Sequence, residues 1–275
     1  MKVFVYDLDK CNGCHNCQIS CKDEHVDNDW SPIAKPQPDT GHFWCKVDEE
    51  VCGKTPLVRV NYLSHHCNHC DNAPCVKFAP EAIYKREDGL VIIDPEAAKG
   101  NKDILNACPY GEIYWNEELQ TPQKCTGCAH LLDDGWSVPR CVDACCTGAL
   151  RFGDEEDFAD ELANAEVLKP ECGTAPRVYY LNKPKRFVAA TVVDIDADEV
   201  VIGAKATLLS ADGEAEVTSQ LTDDLGDFFI ENVEPGTYRL VVEKEGYLSQ
   251  ALDIDLTAKD QAFPELQFFA EPVIA

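Results

Sequence analysis

Sixteen cysteines dominate the chemistry available to this 275-residue chain, and most of them fall into short, regularly spaced groups. The first group, Cys11, Cys14, Cys17 and Cys21, has the spacing C-x2-C-x2-C-x3-C. This spacing is typical of 4Fe–4S ligation, in which three thiolates hold one cube and the fourth binds a different one. Zinc sites instead close with two C-x2-C pairs, so iron–sulfur ligation is favoured over zinc. The first group therefore needs a partner group elsewhere in the chain.

Two further groups are incomplete. The second contains Cys67, Cys70 and Cys75, but Ala79 stands where the fourth cysteine is expected. The third group keeps only Cys108, which is followed by proline, as the last cysteine of such a group usually is. The first three ligand positions of the third group hold Ala98, Asn101 and Ile104.

The fourth group is complete and consists of Cys125, Cys128, Cys141 and Cys145. Cys146 follows Cys145 directly, at the position that proline usually occupies. The ligand spacing favours Cys145 over Cys146.

Exchange of the fourth cysteine between paired groups assigns twelve cysteines to three 4Fe–4S clusters. The predicted ligands are Cys11, Cys14, Cys17 and Cys145 for the first cluster, Cys21, Cys125, Cys128 and Cys141 for the second, and Cys67, Cys70, Cys75 and Cys108 for the third. A fourth cluster would need residues 79, 98, 101 and 104, and none of them is cysteine. We expect the apolar residues of this vacated site to pack together, and Asn101 to face solvent or a backbone group.

The remaining cysteines and the nearby histidines are not predicted to bind iron. Cys45 and Cys52 are expected to be core cysteines or a weak loop disulfide, and Cys172 a small buried side chain. Because the thiolates already complete each site, the neighbouring histidines are expected to make hydrogen bonds around the clusters or to face solvent. These histidines are His15, His65, His66, His69 and His130. No residue is predicted to be catalytic.

Short elements must position the cysteine groups. Residues 1–7 are predicted to form an edge strand that leads into the first group, and residues 31–56 a loop over the clusters. Residues 82–84 and 89–93 alternate apolar side chains as a hairpin does. A helix is predicted to begin at Asp154, since acidic residues suit the first turn of a helix.

The chain changes character at about residue 191, beyond which it contains no cysteine or histidine. Apolar and polar residues alternate there, and Gly-containing turns separate the short runs, which predicts a small β-sandwich. The predicted strands are Val200–Leu209, Glu214–Leu221, Asp227–Ile230, Thr237–Val242 and Ala251–Leu256. We therefore expect two domains, residues 1–190 with the clusters and residues 191–275 with a structural or docking role.

The four groups in this order, with the segments His-His-Cys67-Asn-His-Cys-Asp-Asn-Ala-Pro-Cys75 and Gly-Thr-Ala-Pro-Arg-Val-Tyr-Tyr-Leu181, resemble one known protein class. Residues 1–181 are similar to the four-cluster iron–sulfur subunit of the dimethyl-sulfoxide-reductase family of molybdopterin enzymes. The tail, with Gly226-Asp-Phe-Phe and Pro235-Gly-Thr-Tyr, resembles a carboxypeptidase-regulatory or transthyretin-like β-sandwich. The resemblance implies an α+β fold: a tandem ferredoxin-like 4Fe–4S domain followed by that sandwich.

The same resemblance implies a function. It predicts an electron carrier in a heterodimer, in which a large catalytic partner binds a bis-MGD molybdopterin cofactor with molybdenum or tungsten. The loss of one cluster favours an enzyme without net redox change over a respiratory one. Two alternatives stay open: a respiratory complex with a membrane anchor, and a scaffold in which the clusters are structural.

Composition excludes some partners. A formal net charge of −26 disfavours nucleic acid and anionic membrane surfaces. No run of about 18 apolar residues is present, so no insertion into a membrane is expected. The N-terminus lacks the features of a signal peptide, which predicts a cytoplasmic location.

Overall fold

The computed structural model describes residues 1–271, which form two compact units. The first unit comprises Met1–Glu49 and Tyr62–Lys183. The second contains Glu50–Asn61 and the chain from Pro184 onwards. The domain boundary near residue 190 predicted from the composition stays a prediction; the first strand after Pro184 begins at Arg186.

Strands provide most of the regular structure in both units. In chain order they are β1 (Lys2–Asp7), β2 (Cys45–Lys54), β3 (Leu57–His66), β4 (Ile83–Lys85), β5 (Val91–Ile93), β6 (Tyr114–Asn116), β7 (Thr121–Gln123), β8 (Leu150–Asp154), β9 (Val178–Leu181), β10 (Arg186–Asp194), β11 (Glu199–Val200), β12 (Lys205–Ser210), β13 (Glu216–Leu221), β14 (Asp227–Val233), β15 (Thr237–Glu243), β16 (Gln250–Asp255) and β17 (Gln261–Phe268).

The helices are short. They are α1 (Asn16–His25), α2 (Pro74–Phe78), α3 (Ala129–Asp133), α4 (Arg140–Asp143) and α5 (Ala159–Leu162), with 3₁₀ turns at Lys102–Ala107, Glu155–Phe158 and Pro170–Cys172. The helix predicted to begin at Asp154 is thus a 3₁₀ turn followed by the single turn of α5. Within residues 1–271, every helix falls short of the length and apolar character needed to cross a membrane.

Strand β1 organises the first unit. It runs antiparallel to β8 and parallel to β9, so it is the middle strand of a three-stranded sheet. The prediction that residues 1–7 form an edge strand is therefore wrong. Both partners of β1, β8 and β9, come from the C-terminal part of the unit, so the local sequence around β1 does not reveal them. Phe4 and Tyr6 are almost fully buried and join Trp44 and Tyr180 in the core.

The first unit also contains the predicted hairpin, formed by β4 and β5. The loop predicted over residues 31–56 is partly wrong, since β2 pairs with β3 as a long hairpin. The pairing fits the valines that recur in both strands, because β-branched residues favour extended backbone.

The second unit contains the predicted β-sandwich. One four-stranded sheet has the order β11-β10-β14, with β17 pairing parallel to β10. The other has the order β13-β12-β15-β16. Their inner faces share one apolar core that includes Leu208, Phe228, Leu240 and Phe268. This arrangement confirms the α+β fold class with an all-β tail.

Candidate metal centres

The first predicted ligand set lines one cavity. Cys11 and Cys14 line it from the loop before α1 and Cys17 from the first turn of α1, while Cys145 reaches it from the segment after α4. The backbone NH of Leu150 donates a hydrogen bond to Cys145 Sγ at 3.3 Å, which fixes that side chain. Cys14 is exposed, so this set of thiols reaches the protein surface.

The second set lies in the interior, because all four of its cysteines are buried. Cys21 lies on α1 and Cys141 on α4, while Cys125 and Cys128 precede α3. Burial raises the pKa of the Cys21 thiol, and the nearby thiols of Cys125 and Cys128 raise it further. Cys21, Cys125 and Cys141 belong to one buried cluster of the core, so this set lies in a water-poor environment.

The third set lines a second cavity. Cys67, Cys70 and Cys75 approach it through β3 and α2, and Cys108 follows the 3₁₀ turn of residues 102–107. Burial raises the pKa of the Cys70 thiol to about 12 and that of the Cys75 thiol to about 11. The structure thus places these four predicted ligands around one space.

The vacated site is filled by apolar side chains. Ala79, Ala98 and Ile104 are fully buried and belong to one apolar cluster that also contains Cys70 and Cys75. These contacts confirm the expected packing of the three residues and place the vacated site directly against the third set.

The three sets follow one another in space. Cys45, which is 1% exposed, lies beside Cys17 of the first set and Cys141 of the second. Between the second and third sets, Cys125 Sγ and one ring nitrogen each of His66 and His69 lie within 4.8 Å of one another. The cysteine sets therefore lie in space in the order first, second and third, and the vacated site lies beyond the third set.

The cysteines outside the sets differ in exposure. Cys45 and Cys52 are free and buried, which confirms their interpretation as core cysteines. Cys172 is exposed, so the prediction that it is buried is wrong. It ends a 3₁₀ turn between Lys169 and Gly173, both with left-handed backbone, and this turn carries the side chain to the surface.

The histidines near the sets divide into two kinds. Three of them make hydrogen bonds to carboxylates: His15 to Glu49, His65 to Glu112 and Asp48, and His130 to Glu24. His66 and His69 are buried, and burial lowers the pKa of both rings.

The ring orientations of the two buried histidines are fixed by the backbone. His66 Nδ1 donates to the Cys67 carbonyl at 2.8 Å, whereas His69 Nδ1 accepts the Val91 NH at 2.9 Å. A neutral His69 therefore carries its hydrogen on Nε2, an atom that is buried without a hydrogen-bond partner. The His69 ring lies close to Cys125 Sγ, so a cluster held there would offer sulfur as an acceptor.

The residues present fit 4Fe–4S clusters. Each set offers four thiols, and all sixteen cysteines are free of disulfide bonds. A bound metal deprotonates coordinating thiols even where burial raises their pKa. The thiol-lined cavities, the all-sulfur donor sets and the buried, unpaired His69 Nε2–H match what a sulfur-rich anionic group requires.

Gly127 offers a test of how tightly the second set is built. It lies between Cys125 and Cys128 at φ +63°, donates its NH to Cys125 Sγ at 3.3 Å, and a Cβ there would lie 2.7 Å from Leu90 Cδ2. Gly127→Ala should destabilise the protein by about 2–4 kcal/mol, through left-handed strain and overlap. Denaturation and iron analysis should show lower stability and lost iron.

Gly100 is the matched control for this substitution. Its φ is +77°, but no atom lies within 4 Å of a Cβ built there. Gly100→Ala should cost only the backbone strain, about 1–2 kcal/mol, and keep the full iron content. Equal iron loss in the two variants would contradict a specific role of Gly127 in the second set.

Comparison with known proteins supports the same chemistry. Residues 58–155 match the 4Fe-4S dicluster domain, and residues 188–267 match the carboxypeptidase regulatory-like domain. The pyrogallol hydroxytransferase small subunit of Pelobacter acidigallici is 41% identical, over 95% of this chain and 98% of its own length. The chain belongs to the iron–sulfur subunits of the dimethyl-sulfoxide-reductase family of molybdopterin enzymes.

Other relatives of this iron–sulfur subunit match less of it. One subunit of the tetrathionate reductase of Salmonella typhimurium is 37% identical over 68% of this chain and 74% of its own length. The arsenate respiratory reductase iron-sulfur subunit ArrB of Shewanella sp. is 32% identical over 64% of this chain and 94% of its own length. The present iron–sulfur subunit thus binds 4Fe–4S clusters, as its family does.

Proposed function

We propose that this iron–sulfur subunit carries electrons for a molybdopterin hydroxytransferase that acts on polyhydroxylated benzenes, of the pyrogallol–phloroglucinol transhydroxylase type. The supporting observation is the similarity to the pyrogallol hydroxytransferase small subunit, which covers 95% of the chain, against 64–68% for the two reductase subunits. The active site would lie on a large partner subunit that binds bis-MGD with molybdenum or tungsten.

The three cysteine sets are the proposed cluster ligands. The first cluster would be held by Cys11, Cys14, Cys17 and Cys145, the second by Cys21, Cys125, Cys128 and Cys141, and the third by Cys67, Cys70, Cys75 and Cys108. Each bound cluster supplies one-electron chemistry. The chain's own residues hold the thiolates in place, exclude water from the buried sets and orient hydrogen-bond donors towards sulfur.

The first set would face the partner. Cys14 is exposed, whereas the second set is fully buried and apolar side chains close the vacated site beyond the third set. An electron from the large subunit would therefore enter near Cys14 and pass inward along the order of the sets. A cytoplasmic location completes the proposal, and cell fractionation with antibody detection tests it.

The iron content is the first prediction. The purified full-length chain should contain about twelve iron atoms, three cubes of four. Anaerobic iron analysis per polypeptide, with acid-labile sulfide measured in parallel, checks the number. About sixteen iron atoms would show that the vacated site holds a cluster and would contradict both the ligand sets and the packing argument.

Co-purification tests the partner and the reaction. A tagged chain expressed in its native host should retain a large subunit containing molybdenum or tungsten, and the complex should transfer hydroxyl groups between polyhydroxybenzenes. Isolation with a haem- or quinone-binding membrane subunit would instead indicate a respiratory complex. Clusters that never change oxidation state during turnover would indicate a structural role only.

A further inference from the structure

Lys124 is a buried cation without a carboxylate partner. It is 3% exposed, and its Nζ donates to the carbonyl oxygens of Val91 and, at 2.9 Å, Cys125. Within residues 1–271, no aspartate or glutamate forms an ion pair with it. A buried charge is normally paired, because carbonyl dipoles alone do not replace the lost hydration.

The position of Lys124 relates it to two cysteine sets. It lines the cavity of the third set together with Cys67 and Cys75, and it immediately precedes Cys125 of the second set. Its ammonium group therefore lies close to the thiols of the third set and to the backbone of Cys125 in the second.

Glu112, a buried carboxylate close to Cys108, is engaged by His65 at 2.6 Å and by the Tyr114 hydroxyl at 3.2 Å rather than by Lys124. His66 and His69, beside Cys125, are buried and offer no negative charge. A negatively charged group held by the thiols of the cavity would supply the counter-charge. A 4Fe–4S cube with four thiolates is net negative and becomes more so on reduction.

We propose that Lys124 is the counter-charge of the third cluster, a tuning residue that stabilises the reduced form and raises its reduction potential. The proposal rests on the proposed function, because it requires a cluster bound by Cys67, Cys70, Cys75 and Cys108. A nearby buried cation favours the more negative state, and the low dielectric of the interior strengthens this interaction. Electrons would thus be drawn towards the third cluster.

Lys85 provides a matched control at the same site. Its Nζ also donates to backbone carbonyls, those of His69, Cys70 and Gly89 at 2.9–3.1 Å. It differs in having a carboxylate partner, Asp71, at 3.0 Å and a side chain that is 23% exposed. Its charge is neutralised locally and screened by water, so its loss should affect the cluster less.

The test is an anaerobic redox titration of the full-length, iron-loaded protein followed by electron paramagnetic resonance. Cys108→Ala identifies the third cluster, because its signal should disappear in that variant. Lys124→Met should shift the reduction equilibrium of this cluster at least tenfold towards the oxidised form, about 59 mV for a one-electron step. Lys124→Arg, which keeps the charge, and Lys85→Met should shift it several-fold less.

Each outcome decides the proposal. An unchanged potential in an iron-replete Lys124→Met protein overturns it, as does an equal shift in Lys124→Arg, which would indicate shape rather than charge. If the Lys124→Met variant does not retain the third cluster, the Lys124→Arg variant decides. A third cluster retained in Lys124→Arg supports the role of Lys124 as counter-charge. Loss of the third cluster from both variants indicates a structural role and overturns the proposal. A wild-type protein without three cluster signals refutes the proposed function instead.

Discussion

Cys128→Ala should remove the second cluster and isolate the third. Cys128 is a buried member of the second set, which lies between the first and third sets. The variant should contain about eight iron atoms instead of about twelve, because a cube that lacks one of its four thiolates is poorly held. Reduction of the remaining clusters, followed by rapid-freeze spectroscopy, should show that the first cluster is reduced at the normal rate. The third cluster should be reduced much more slowly.

Cys52→Ala is the control for this variant. Cys52 is also buried, but its Sγ contacts the Glu50 carbonyl and Asn61 rather than any of the three cysteine sets. The substitution should leave iron content and reduction kinetics unchanged. If Cys128→Ala keeps about twelve iron atoms, or if its third cluster fills at the normal rate, the proposed order of the clusters is wrong.

Ile104→Ala should destabilise the protein by about 2–5 kcal/mol, the range for truncating a buried aliphatic side chain. Ile104 is fully buried in the vacated site and shares its apolar cluster with Cys70 and Cys75. The cavity should therefore loosen the third set before the others. Chemical denaturation gives the stability change, and iron analysis should show that the third cluster is the first to be lost.

Ile19→Ala is the matched control, because Ile19 on α1 is 58% exposed. Its truncation should change stability by no more than about 0.5 kcal/mol. A gain of iron in Ile104→Ala, or a cost as small as that of Ile19→Ala, would mean that the vacated site is not packed as the structure shows.

Local patterns predicted those parts of the fold that depend on neighbours in sequence. The hairpin of β4 and β5 and the strands β13 to β16 alternate apolar and polar residues between turn signals, and they formed close to where the pattern placed them. The strand predicted over Val200–Leu209 is only partly correct, since β12 begins at Lys205 after a turn. Strand β10 was missed, since it is central and buried on both faces and so reads as a continuous apolar run. The hairpin of β2 and β3 was missed because polar residues and proline precede and interrupt it.

The same distinction applies to the site. Cysteine spacing predicted which thiols converge, because the first three ligands of a group share one cube and the fourth binds the cube of its partner group. It gave no indication of Cys45 beside two sets, or of Lys124 against the third. These residues reach the site through tertiary contacts, and a lone cysteine or lysine carries no periodic signal. The prediction for Cys172 failed for the converse reason. Its neighbours in sequence are apolar, but its side chain is exposed.

The apolar plug formed by Ala79, Ala98 and Ile104 has a consequence for the order of events in the protein. If the three sets hold clusters as proposed, the row of clusters is accessible at one end only. Electrons then enter and leave through the same cluster, the first. The electron that travels deepest is the last to leave, and Lys124 would hold it there. The protein would then store electrons rather than pass them to a further acceptor. It would return them to the partner subunit whenever the cofactor of that subunit becomes oxidised.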